Sequence, residues 1–187
     1  MTKEDETINF INDFITTYTG VRFTPLNPDK EQICIFDIAH SLSLLCRANG
    51  HCQHFYSVAQ HCVNCAKEAK ARGFSPRVQL ACLLHDGSEA YISDITRPVK
   101  KNLKQYIEIE KHLQEQVYER FLFSPLTEEE IEKIGQIDDD ILIWEFKTIM
   151  ARKIEGTMPS MKSNPVFDFI PFEEVEKEFM DIFQEAT

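Results

Sequence analysis

Five of the six histidines, His40, His51, His54, His61 and His85, crowd into one stretch of 46 residues, and only His112 lies apart. Imidazole changes charge near neutral pH and is the commonest nitrogen ligand for metals, so this stretch is where chemistry is to be sought. Carboxylates accompany it: Asp86 directly after His85, then Glu89 and Asp94, and later the run Asp138-Asp139-Asp140. His85-Asp86 follows Leu80-Ala81-Cys82-Leu83-Leu84, which puts the pair at the end of a helix apolar on most sides. A buried imidazole and carboxylate are costly unless something pairs with them. On a helix they diverge by about 100°, so both can reach one ion beside it. That donor set suits Mn, Fe, Co, Ni or Zn, and the carboxylate also tolerates Mg. Glu89 lies four positions after His85 and three after Asp86, on the same helical face. The Asp138 run gathers too many carboxylates at one helical spot to bury without a cation.

These residues need elements to carry them. Ile8, Ile11, Phe14, Ile15 and Tyr18 predict a helix over Glu4–Tyr18, ending near Gly20. Pro25, Pro28 and the alternation Ile33-Cys34-Ile35 predict a loop over 21–36 with one short extended piece. From Asp37 onward the pattern is helical. Asp37 is predicted to cap a helix that runs out before Asn49-Gly50. Ser57 or a neighbour opens the helix carrying His61, which closes at Gly73, and Ser75-Pro76 starts the apolar helix that leads to His85. Ser93–Pro98 is predicted to interrupt that helix, with Pro98 pushing Arg97 out of helical geometry. Long helices follow over Leu103–Phe121 and Thr127–Arg152, the second opened by a Thr127/Glu130 capping box and bent or divided at Gly135. A loop over 156–171 and a last helix over Glu173–Gln184 complete the reading. It is one all-α domain over residues 1–187, without internal repeats.

His61, then His85-Asp86, then Asp138 resembles the H…HD…D ligand pattern of the HD-domain phosphohydrolases, in which helices donate four ligands to a divalent metal. The stretch His85-Asp86-Gly87-Ser88-Glu89, with Asp94-Ile95-Thr96-Arg97-Pro98-Val99-Lys100, is similar to that of the 5′-deoxynucleotidase branch and its phage relatives. Asp37-Ile38-Ala39-His40, Arg47, Gly50-His51 and Phe55 to His61 are similar to an HD subgroup that includes deoxynucleoside triphosphate hydrolases. The likeness covers about residues 34–145.

The resemblance implies an HD-type helical bundle with His61, His85, Asp86 and Asp138 as metal ligands. Asp139 and Asp140 compete for the last place, and Asp138 is chosen because Leu142 and Glu145 then keep the family's spacing. Glu89 would act as general base or orient water, Asp94 would assist it or the leaving oxygen, and Arg47 and Lys100 would hold phosphate. His51 and His54, just before the helix of His61, are candidates to face the phosphates or a second metal, and His40 is a candidate for the site wall. The implied cofactor is a divalent metal (Mn, Co, Mg, Zn, Fe or Ni). The implied reaction is hydrolysis of a mono- or triphosphate (deoxy)nucleotide by metal-activated water, in a homo-oligomer. Where the bacterial 5′-deoxynucleotidases have an aromatic residue after the arginine, which helps sense the missing 2′-hydroxyl, this chain has Ala48.

Composition bounds the alternatives. Of 187 residues, 43% are hydrophobic and 27% charged, the balance of a globular chain. Twenty Lys and Arg stand against 31 Asp and Glu, a net charge of −11. Such a surface repels nucleic-acid backbones, so the expected partner is a small nucleotide and not a polymer. No stretch approaches the roughly 18 apolar residues of a membrane span, and the acidic start is unlike a secretory signal. A cytoplasmic protein with reduced cysteines is expected. Two other readings compete: an HD protein that senses nucleotides without turnover, and a structural zinc protein built on Cys62 and Cys65 with Cys46, Cys52 and His61.

Overall fold

The computed structural model describes residues 14–151 and 155–187. Two two-residue strands, β1 (Ile15–Thr16) and β2 (Arg22–Phe23), pair antiparallel with Ile15 opposite Phe23. The rest is helical: α1 (Ile35–Leu44), α2 (Val58–Ala71), α3 (Pro76–Leu84), α4 (Glu89–Ile92), α5 (Arg97–Lys100), α6 (Lys104–Leu122), α7 (Glu128–Ile149) and α8 (Phe172–Ala186). The all-α expectation holds.

Local signals set the helix starts. Ser57 caps α2 by accepting from the Gln60 N–H, Ser75 caps α3 with Pro76 at the first turn, and Thr127 and Glu130 close a reciprocal capping box on α7. α2 and α3 pack on each other at the centre, with α8 lying against α1, α2 and α3, α7 against α2 and α3, and α6 against α3. Ile38, Leu42, Ala59, Cys62, Leu83, Leu84, Ile137, Ile141 and Phe179 are fully buried where these helices meet.

Several predicted boundaries are corrected. Most of the helix read over Glu4–Tyr18 lies outside the described residues, but its end is β1, where pairing with Arg22–Phe23 overrides the helical spacing. Asp37 does not cap α1, which begins at Ile35 after Cys34. Its buried carboxylate instead accepts from the N–H and hydroxyl of Thr19, at 2.7 and 2.9 Å, and ties the β1–β2 turn to the helix. The helix from Pro76 stops at Leu84 and not at Ser93, because a tight turn over 85–88 comes first. Arg97 is helical despite preceding a proline. It is the first residue of α5, held by ion pairs to Asp138 and Asp139, and Pro98 falls in the first turn, where no N–H is needed. Gly135 does not divide α7, which runs unbroken through it.

One polar stripe fixes the long connector before α8. Gln60, Asn64 and Glu68 recur every fourth residue on α2, all buried. Gln60 donates to the carbonyls of Val166 and Asp168, and Asn64 exchanges hydrogen bonds with Val166. Glu68 accepts from the N–H groups of Lys162 and Ser163, the Ser163 hydroxyl and Arg72. Burial alone would raise the Glu68 pKa, but these donors outweigh it and hold it below the ordinary 4.5. A carboxylate depressed in the folded state stabilises above its unfolded pKa, and that stability is lost as pH falls through the lower folded value. Glu68→Gln is therefore expected to cost about 1–3 kcal/mol near neutral pH and to flatten the acid limb of a urea-unfolding profile below about pH 4.5. An unchanged acid limb would contradict the assignment.

Candidate functional site

Two imidazoles meet at the centre. His61, one turn into α2, is fully buried, and His85 caps the C-terminus of α3. Their Nε2 atoms stand 3.2 Å apart. Each Nδ1 is committed elsewhere: His61 Nδ1 lies 2.6 Å from Glu145 Oε1, and His85 Nδ1 lies 2.8 Å from the Cys82 carbonyl. A carbonyl cannot donate, so His85 carries its proton on Nδ1. Burial opposes ionisation of Glu145, yet Arg47 and His61 overcome it and hold its pKa at about 2. Glu145 is therefore an acceptor too, and the His61 proton also sits on Nδ1. In the neutral rings both Nε2 lone pairs then face one point.

Carboxylates surround that point. Asp138 Oδ1 is 3.1 Å from His61 Nε2 and 3.8 Å from His85 Nε2, while Asp86 Oδ2 is 3.9 and 3.4 Å from the same atoms. Two donors bound at about 2.1 Å to one ion stand roughly 3 Å apart, so nitrogen and oxygen separations of this size fit a shared cation. Burial would raise Asp138, but the two imidazoles hold its carboxyl well below the usual range. Burial likewise opposes charge on His61 and His85, yet the neighbouring anionic groups raise both. The environment selects positive charge.

Of the three consecutive aspartates only Asp138 is paired with the two imidazoles. Asp139 is exposed and paired with Arg97 at 2.8 Å, and Asp140 is paired with Arg72 at 2.8 Å. A cavity of about 370 Å³ opens beside Asp86 and Asp138, and Arg47, Glu89, Asp94 and Lys100 line it too. Arg47 donates from Nε to Glu145 at 3.0 Å and from Nη1 to Asp86 at 3.2 Å. Its turn, Arg47–Gly50, holds Ala48 and Asn49 at φ of 53° and 52°, a left-handed geometry that asparagine tolerates better than alanine. Glu89 is buried and its Oε2 has no hydrogen-bond partner among the described residues. Burial, then Asp86 and Asp94, raise its pKa well above the ordinary value. Lys100 is 2.6 Å from Glu110 and 3.7 Å from Glu89. Ala48, Ile95, Leu142, Phe146 and Ile149 make the apolar wall.

Not every candidate arrives. His51, which ends the turn that Arg47 opens, is exposed and does not line the cavity. His54 is spent on the Phe167 carbonyl at 2.7 Å. His40 stacks on Tyr18 and pairs with Glu176 at 3.0 Å, away from the cavity. Cys62 and Cys65 do approach the imidazoles, at 3.9 Å from His85 and 3.6 Å from His61; Cys65 makes a three-donor group with both imidazoles and Cys62 one with His85 and Asp86. Asp86 and Asp138 line the cavity and these thiols do not, and burial pushes the Cys62 thiol up, away from the thiolate a metal needs. Among the described residues no such group includes Cys46 or Cys52, so the four-cysteine arrangement is not assembled.

Glu145 was missed as a functional residue, although its position seven residues, two helical turns, after Asp138 put both on one face of α7. Gln114 left no signal at all. From α6 it donates to the Leu84 carbonyl and accepts from the Ser88 N–H, clamping both ends of the turn that carries His85 and Asp86. Gly87 in that turn has no room for a side chain: a Cβ would lie 2.9 Å from the Leu84 carbonyl oxygen and 3.0 Å from Val117. That turn, not a continuous helix, brings Glu89 to the cavity. Gly87→Ala is expected to cost about 1–3 kcal/mol in urea unfolding, and an unaltered midpoint would show that the turn has slack.

Residues 45–185 match the family described as an HD domain. An Escherichia coli K12 protein, the uncharacterized protein YfdR, is 38% identical over 113 residues, 60% of this chain and 61% of that protein. An uncharacterized Rhodobacter capsulatus protein is 38% identical over 109 residues, 55% of each chain. These matches thus span between half and two thirds of either relative's length.

Proposed function

The chain belongs to the HD-domain family, and on that footing we propose that it is a metal-dependent phosphohydrolase that cleaves phosphate esters of (deoxy)nucleotides with water. HD domains are in general metal-dependent hydrolases, which gives the reaction class; the nucleotide substrate is our reading of the cavity and of the sequence motifs. The observation that carries it is the convergence of two Nε2 lone pairs, 3.2 Å apart, with Asp86 and Asp138 at the charged end of a cavity whose other wall is apolar. In this reading His61, His85, Asp86 and Asp138 hold the cation. When bound, a divalent cation lowers the pKa of a coordinated water from 15.7 toward about 7 and offsets charge on phosphoryl oxygens.

The remaining work falls to the chain's own side chains. Glu89 is buried, with one oxygen unpartnered among the described residues and a pKa raised above the ordinary carboxylate value, so it is a stronger base than an exposed carboxylate and suits the role of taking a proton from the attacking water and fixing its direction. Lys100 and Arg47 both lower that pKa, and so set its limit. Arg47 uses two of its five N–H donors on carboxylates, which leaves others along the cavity for phosphate. Asp94 lines the same cavity and, in this reading, assists Glu89 or the leaving oxygen. Phe146, 37% exposed on the apolar wall, offers the flat surface for a base that Ala48 does not.

The test is turnover of a panel of nucleoside and deoxynucleoside mono- and triphosphates with Mn, Co or Mg, with inorganic phosphate distinguished from triphosphate in the products. Hydrolysis abolished by a chelator supports the reading, whereas tight nucleotide binding without turnover by any of the three metals favours a sensor. Glu89→Gln is expected to lower kcat by about 10²–10⁴-fold while Mn²⁺ still binds. Because the pKa values of both imidazoles lie above the ordinary 6.5, protons compete with the cation from above that pH. Mn²⁺ affinity, measured calorimetrically, is therefore expected to fall steadily as the solution is acidified through neutrality, and a flat profile would count against imidazole ligation.

A further inference from the structure

We propose that Arg97 is a positioning residue that aims the Asp138 carboxylate at the two imidazoles and, through Asp139, pins α5 across the mouth of the cavity. The proposal rests on the reading of Asp138 as a metal ligand.

Asp138 is divided between two neighbourhoods. Its Oδ1 faces inward, 3.1 Å from His61 Nε2 and 3.8 Å from Arg47 Nη2. Its Oδ2 faces outward and accepts from Arg97 Nη2 at 2.7 Å. The terminal torsion of an aspartate is broad and two-fold, so covalent geometry does not decide which oxygen points where or how firmly it stays. The Arg97 guanidinium decides it by gripping one oxygen from the solvent side. Its other arm, Nη1, donates to Asp139 Oδ1 at 2.8 Å. Adjacent residues on a helix point about 100° apart, and a planar fork can span the two where a single ammonium cannot.

The anchor acts at a second place. Arg97 opens α5, the one-turn helix that ends at Lys100, and it follows Asp94 by three residues. Asp94, Arg97 and Lys100 all line the cavity. Holding Arg97 on α7 therefore sets the distance between the segment that carries Asp94 and Lys100 and the helix that carries Asp138. The Arg97 side chain is 59% exposed, and exposed ion pairs contribute little to global stability. A positional role thus predicts a loss of cation affinity without a matching loss of fold.

The experiment is calorimetric titration of the chelator-treated 187-residue chain with Mn²⁺, without nucleotide, alongside urea unfolding. Arg97→Met is expected to weaken Mn²⁺ binding by about 10–100-fold with an unchanged urea midpoint. Asp139→Asn, which removes only the anchor, should weaken it in the same direction but less, and Arg97→Lys should recover part of the loss. Wild-type Mn²⁺ affinity in Arg97→Met overturns the proposal, and if activity nonetheless falls, Arg97 acts on substrate directly. A urea midpoint that falls in step with affinity makes the role merely structural and also overturns it. Should the wild-type protein take up no Mn²⁺ at all, the reading of Asp138 as a ligand fails first and this proposal with it.

Discussion

Two imidazoles with their Nε2 atoms 3.2 Å apart in a buried setting cannot both point protons at each other. In the neutral rings that a cation would bind, each proton is drawn to the far nitrogen, by Glu145 in one case and the Cys82 carbonyl in the other. Both acceptors are themselves fixed. Glu145 is shared with Arg47, and Cys82 belongs to the last turn of α3, where carbonyls have no partner within the helix. Everything else at the site follows from that orientation. Two lone pairs aimed at one spot, with Asp86 and Asp138 alongside, make a place that positive charge fills.

The protein is strongly acidic, yet it gathers Arg47, Arg97 and Lys100 on the walls of one cavity. Charges a few ångströms away outweigh a distributed surface charge, which solvent and salt screen within about 10 Å. A phosphate group approaching this cavity, as the proposed substrate would, meets the local field. The same three cations each lean on carboxylates that belong to the site, Arg47 on Asp86 and Glu145, Arg97 on Asp138, and Lys100 near Glu89. They hold the anionic side chains in place and keep them from repelling one another.

α2 joins site and scaffold. One side turns His61 to the centre, and the stripe of Gln60, Asn64 and Glu68 grips the connector that leads to α8. α8 in turn packs on α1, α2 and α3. The helix that carries one proposed ligand is thus restrained on both sides, which suits a centre whose donors must keep their separations within a few tenths of an ångström.

Much of this was written in local sequence. Ser57, Ser75-Pro76 and the Thr127/Glu130 box announce three helix starts, because a cap acts on N–H groups within three residues of it. The identities of the donors, and the placing of Asp138 and Glu145 two turns apart on α7, are fixed by the same short-range periodicity. Which of Asp138, Asp139 and Asp140 pairs with the imidazoles was not legible, since it turns on Arg97 and Arg72, some 40 and 70 residues away, claiming the other two. Nor was the place where α3 stops: Gln114 and Val117 of α6 close around Gly87 and end it. His51 stays outside the cavity that Arg47 lines, at the far end of a left-handed turn that no apolar pattern encodes. The chain's spelling determined which groups were available and on which helices; packing between distant segments determined which of them meet, because side-chain direction at a helix end depends on the neighbour that takes up its unpaired atoms.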